Sequence, residues 1–135
     1  MKTYTIIIAD DHAMMRDGIR RMIEAEDGLR VIGEVGDGLS LLKLLKKKPP
    51  DMVILDISMP GLRGIEAARE IHQLYPEIRL LMLSMHRHEE FLSMSLEAGA
   101  SGYLLKEDSS EELLRAIHGI RKGPVSYTHL RAHET

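Results

Sequence analysis

Residues 52–56 read MVILD: four apolar side chains in unbroken succession, then an acid. A strand with one wet face alternates polar and apolar residues. A short continuous apolar run suits a strand covered on both faces, as in a parallel sheet between two helical layers. Pro49-Pro50 closes the segment before it, because proline ends a helix. Similar runs recur at Thr5 to Ala9, Arg79 to Leu83 and Gly102 to Leu105, while Arg30 to Val35 alternates. Between them the apolar residues switch to helical spacing, as at Met14, Met15, Ile19, Met22 and Ile23. Further helices are expected over Leu39–Lys47, Gly61–Leu74, Glu89–Ala98 and Ser109–Lys122. Ser109 or Ser110 serves the last as N-cap, with Glu112 placed for a capping box. Five strand–helix units predict an α/β fold: an open, doubly wound, five-stranded parallel sheet with five helices on its two faces.

The composition narrows the class. The 135 residues are 44% hydrophobic and 29% charged, which fits one globular domain with a sizeable core. With no Trp and one Phe the core must be aliphatic, and nine Met supply adaptable filler. The absence of Cys excludes disulfide and thiolate chemistry. A formal net charge of −3 argues against a nucleic-acid grip by this domain alone. No apolar run approaches the roughly 20 residues of a membrane span, and the N-terminus has no secretory leader pattern. A cytoplasmic protein without membrane partners is expected.

The polar residues fall at the strand ends. The first strand stops at Asp10-Asp11, the third at Asp56, the fourth at Ser84 and the fifth at Lys106. Open α/β sheets bind ligands beyond the carboxyl ends of their strands, at the point where the winding reverses. Three carboxylates crowded there would repel by several kcal/mol at an effective dielectric of about 20. A hard divalent ion such as Mg²⁺ relieves that repulsion and also takes phosphate oxygens. A lysine and a serine facing the same point can hold a phosphoryl group, so the set suits phosphoryl transfer with Asp56 as nucleophile.

At these residues the chain resembles the response-regulator receiver domain of two-component signalling. The matches are IADDH, VILDISMPGLRGIEA, LMLS and GYLLK, and the resemblance spans residues 3 to 123. It implies the flavodoxin-like strand order 2-1-3-4-5. It also implies a phospho-acceptor at Asp56 and a Mg²⁺ site (Mn²⁺ in its place) formed by Asp10, Asp11, Asp56 and the Ser58 backbone carbonyl. Lys106 and Ser84 would hold the phosphoryl group, with Ser84 and Tyr103 as the conformational switch. Ser58 and His86 occupy positions that tune dephosphorylation. The implied partner is a sensor histidine kinase, with homodimerisation on phosphorylation. The wording DISMPGLRGIEA and LSMHRHEEF resembles the subgroup that carries a LuxR-type helix-turn-helix domain, through which DNA would be bound. Such a domain is regulatory rather than an enzyme, beyond catalysing its own phosphorylation and dephosphorylation.

Other readings stand beside this one. Asp10-Asp11 can be a plain helix cap, Asp56 can open a turn before Pro60-Gly61, and Tyr103 can be a core aromatic. His12, His72, His86, His88 and His118 show no mutual ligand spacing and read as surface residues, with His86 flanking the site. Leu113, Leu114, Ile117 and Ile120 face the core or a dimer partner. A Mg²⁺-dependent phosphohydrolase using an aspartyl phosphate, or a receiver-shaped module that is never phosphorylated, are the alternative functions. Ser58 counts against the first, since the haloacid-dehalogenase pattern wants a second acid there. Residues 1–123 are expected to be the receiver. Val125 to Thr135 back-translates onto a sequencing-adapter sequence, and residues 124–135 are expected to be a foreign scar in place of an output domain.

Overall fold

The computed structural model describes residues 3–59, 63–85, 89–108 and 110–123. Strands and helices alternate: β1 (Tyr4–Ala9), α1 (Ala13–Glu24), β2 (Leu29–Val35), α2 (Gly38–Lys47), β3 (Met52–Asp56), α3 (Gly64–Leu74), β4 (Arg79–Ser84), α4 (Glu89–Glu97), β5 (Gly102–Leu105) and α5 (Ser110–Lys122). The strands form one parallel sheet in the order β2-β1-β3-β4-β5. The expected class and order are both present. The winding reverses between β1 and β3, where Ala9 lies beside Leu55.

Strand parity sorts the core into two layers. Ile6, Ile8, Met52, Ile54, Leu81, Leu83 and Leu104 pack against Ile19 and Ile23 of α1 and against Leu113, Ala116, Ile117 and Ile120 of α5. Ile7, Ala9, Val53, Leu55, Leu80, Met82, Tyr103 and Leu105 face Leu41 and Leu45 of α2 and Ile65, Ala68 and Ile71 of α3. All five residues of β3 are buried, as its unbroken apolar run requires. Leu113, Ile117 and Ile120 are spent in the core, and Leu114 is only partly buried against it.

Several details differ from the sequence reading. α2 begins at Gly38 because Asp37 caps it: the Ser40 N–H donates to Asp37 Oδ1 at 2.8 Å. α3 begins at Gly64, three residues later than periodicity suggests, with Arg63 still extended at φ −63°, ψ 152°. β2 carries an irregularity: Ile6 pairs with Val31 but Ile7 with Gly33, so Ile32 is an inserted residue. That insertion breaks the strict alternation read over Arg30 to Val35, and only Leu29 of this edge strand is fully buried. Ser109, the N-cap option for α5, lies outside the described residues, as does the tail from 124. No helix among the described residues is long and apolar enough to cross a membrane.

Candidate functional site

Lys106 stands at the centre of the carboxyl edge. Its Nζ is 3.0 Å from Asp56 Oδ2, and 3.2 and 3.1 Å from Asp10 Oδ1 and Oδ2. Asp10 and Asp56 are fully buried, and the Lys106 side chain is 6% exposed. Parity explains the meeting. Asp56 continues the side of β3 that holds Met52 and Ile54. Asp10 continues Ile6 and Ile8, and Lys106 continues Leu104. Backbone bonds fix the two flanking residues: Asp10 N donates to Val35 O at 3.0 Å, and Lys106 N donates to Ser84 O at 2.8 Å. The lysine stem then crosses over β4, one strand spacing of about 4.8 Å, to reach β3.

Each buried acid is oriented by a tight local turn. Asp10 Oδ1 accepts the His12 N–H at 2.8 Å, and Asp56 Oδ1 accepts the Ser58 N–H at 3.1 Å. Both are hydrogen bonds to the residue two positions on, the Asx-turn geometry. The Ser58 hydroxyl adds a second bond to Asp56 Oδ1 at 3.2 Å. Asp10 is thus not the N-cap of α1. That position is His12, which makes no side-chain cap bond. The Arg16 guanidinium donates to the Asp10 carbonyl, tying α1 to the end of β1. Beneath Asp56, Gly64 N donates to Ile57 O at 3.1 Å. A Cβ on Gly64 would stand 2.1 Å from the Asp56 carbonyl oxygen. Only glycine lets α3 start this close to the strand end.

Electrostatics favour an ionised Asp56. Burial pushes its carboxyl up. The Lys106 hydrogen bond and charge and the Ser58 N–H outweigh that, so its pKa lies below the ordinary aspartate value. On the other face of the sheet, Ser84 and Tyr103 are each 2% exposed and are hydrogen-bonded to each other. Burial raises the Tyr103 phenol, and the Ser84 bond partly offsets this.

The structure brings together Asp10, Asp11, Asp56, Ser58 and Lys106, with Ser84 and Tyr103 adjoining through β4 and β5. His86 lies outside the described residues. One residue read as ordinary surface belongs here. His12 is 53% exposed in its side chain, yet its Nδ1 lies 3.1 Å from Asp10, 3.2 Å from Asp11 and 3.0 Å from Lys106 Nζ. Pairwise histidine spacing could not reveal it, because its neighbours in the site are carboxylates and a lysine. The usable signal was its place two residues after a strand-end acid.

The residues fit a metal ion. Asp10, Asp11, His12 and Asp56 each offer one ligand atom, all within 4.8 Å of one another. Two carboxylate charges at such a spacing repel by roughly 3–4 kcal/mol at an effective dielectric of about 20. Asp10 Oδ2 is fully buried and accepts no hydrogen bond. Lys106 approaches it as an ion pair but without hydrogen-bond alignment. A buried oxygen left in that condition is costly, and a cation would satisfy it.

The family described as the response regulator receiver domain matches residues 6–118. The chain belongs to that family. This receiver is 38% identical over 118 residues to the transcriptional regulatory protein DegU of Brevibacillus brevis, covering 87% of this chain and 50% of the relative. It thus spans about half the length of that relative. Among solved structures it is 39% identical to a two-component response regulator of the LuxR family from Aurantimonas sp. SI85-9A1. That match has a TM-score of 0.84 and covers 88% of this chain and 85% of the other. The isolated receiver domain of RcsB from Salmonella enterica serovar Typhimurium, with phosphomimetic BeF₃⁻, is 31% identical. Its TM-score is 0.85, with 90% and 91% coverage. The receiver is therefore similar to regulators of transcription.

Proposed function

We propose that this receiver is a phospho-accepting switch with Asp56 as the acceptor. The single observation that carries the reading is the ion pair between fully buried Asp56 and Lys106, set beside Asp10 at the winding reversal. One oxygen of Asp56 forms a bond to phosphorus. The bond from phosphorus to the donor's nitrogen or acyl oxygen breaks, and the leaving group keeps the electron pair. Asp56 is suited to this because it is held ionised, and Ser58 and Lys106 fix its two oxygens. Lys106 is placed to follow the charge from the carboxylate to the phosphoryl oxygens. Asp10, Asp11, Asp56 and the Ser58 carbonyl would hold Mg²⁺, or Mn²⁺ in its place. The ion supplies charge neutralisation for the transfer.

Ser84 and Tyr103 form the readout. Contact of the Ser84 hydroxyl with the phosphoryl group would draw on its bond to Tyr103. That would bias the face built by α4, β5 and α5 between two arrangements. Ser58 and His86 would set the rate of hydrolysis of the acyl phosphate. The receiver would be cytoplasmic, and the donor would be a sensor histidine kinase. In the whole protein, residues 1–123 would act on a LuxR-type DNA-binding domain, with dimerisation on phosphorylation, and the tail from 124 would be foreign to it. The receiver would catalyse nothing beyond its own phosphorylation and dephosphorylation.

The test is incubation with Mg²⁺ and acetyl phosphate, followed by intact-mass measurement. Wild type should gain one phosphoryl group and Asp56→Asn none. Modification that persists in the variant would remove Asp56 from the role, and sustained turnover of phosphoesters would point to a phosphohydrolase.

A further inference from the structure

His12 is oriented as a ligand rather than as a cap. It is the extended residue before α1, at φ −92°, ψ 102°. Its own N–H is held by Asp10 Oδ1, and this turn brings the ring back over the acids. Nδ1 then has two carboxylate oxygens and one ammonium within 3.2 Å. A ring nitrogen carries either a hydrogen or a lone pair. It can donate to an oxygen or accept from the ammonium, but it cannot do both. A metal ion among the four ligand atoms removes the conflict, because a lone pair from each side meets one positive centre. The buried Asp10 Oδ2, without a hydrogen bond, points to the same requirement independently. The ammonium of Lys106 marks where positive charge is wanted.

We propose that His12 Nδ1 is a nitrogen ligand of this centre and gives the receiver a preference for a divalent transition ion over Mg²⁺. The inference rests on the reading of Asp10, Asp11 and Asp56 as a metal site. Mg²⁺ takes oxygen ligands and gains little from imidazole, whereas Fe²⁺, Ni²⁺, Cu²⁺ and Zn²⁺ accept it readily; Mn²⁺, the weakest binder of that row, still takes imidazole better than Mg²⁺ does and reports the contact through its electron spin. Even an outer-shell partner is worth about tenfold or more in metal affinity, so a direct ligand is worth at least that.

The experiment uses Mn²⁺ and Mg²⁺ as probes with wild type, His12→Gln and Asp11→Asn, each checked by circular dichroism. Calorimetry gives the dissociation constants, and pulsed electron paramagnetic resonance of bound Mn²⁺ reports ¹⁴N coupling. Wild type should show imidazole ¹⁴N coupling that His12→Gln loses. The same change should weaken Mn²⁺ by about tenfold or more and Mg²⁺ by less than about threefold. Absence of ¹⁴N coupling in wild type, its survival in His12→Gln, or equal weakening of both ions would overturn the assignment. Asp11→Asn separates the two levels. If it abolishes Mn²⁺ binding while His12→Gln changes nothing, the metal site stands and only the histidine inference fails. If Asp11→Asn binds Mn²⁺ like wild type, the metal-site reading itself falls.

Discussion

Lys106 holds two buried carboxylates with one charge. Replacing it by Met keeps the stem and removes the cation, leaving Asp10 and Asp56 facing each other. Breaking a buried pair in this way costs about 3–5 kcal/mol. Lys106→Met should approach that loss near pH 7 in urea denaturation. The sign with pH follows from Asp56, whose folded pKa is depressed. Its contribution in wild type is present above the unfolded aspartate value and lost as pH falls through the lower folded value. In Lys106→Met that depression is relieved, so the Asp56 carboxyl takes up its proton at higher pH and the stability gap narrows as the solution is acidified. A gap unchanged between pH 7 and pH 4.5 would contradict this account. Asp10, Asp56 and Lys106 were legible as single polar residues ending apolar runs. The contacts of His12 and of the Ser58 N–H were not, because a side chain's direction after the last strand residue is set by the turn. Both arise from one device, an acid accepting the N–H two residues later.

At the scale of elements, the start of α3 decides where Asp56 sits. Gly64→Ala would drive a methyl into the Asp56 carbonyl and the Ile57 Cα, which cannot yield without moving the strand end. Such overpacking costs about 1–3 kcal/mol, and beryllofluoride binding should weaken with it. Gly18→Ala in α1 is the matched control. Nothing lies within 4 Å of its added Cβ, so the higher helix propensity of Ala should stabilise by about 0.5–1 kcal/mol. Thermal melts of both variants check the pair; equal shifts would remove the steric argument. Element identities were readable from their periods because the sheet is covered on both faces. Boundaries were less so. The delayed start of α3 depends on a contact between Gly64 and Asp56, eight positions apart, which no local pattern contains. The inserted Ile32 is tolerated because β2 is an edge strand with little to bury.

Across the whole molecule, the sheet separates two kinds of chemistry. The acids and Lys106 lie on the side of α1 and α5, while Ser84 and Tyr103 belong to the opposite layer. On the proposed switch, a signal would pass around the carboxyl rim, through Ser84 at the end of β4, to reach Tyr103. The two aliphatic layers supply the buried core. The protein should therefore still melt in one cooperative transition after exhaustive chelation. Mg²⁺ with beryllofluoride should raise the melting temperature by mass action, in proportion to RT ln(1 + [L]/Kd). Loss of that transition on chelation would show instead that the fold requires the ion. The lysine stationed among the acids carries a wider consequence. A newly synthesised copy brings its own resident counter-charge, tethered by four methylenes. On the proposed function it would need a diffusible cation only at the moment a phosphoryl donor arrives.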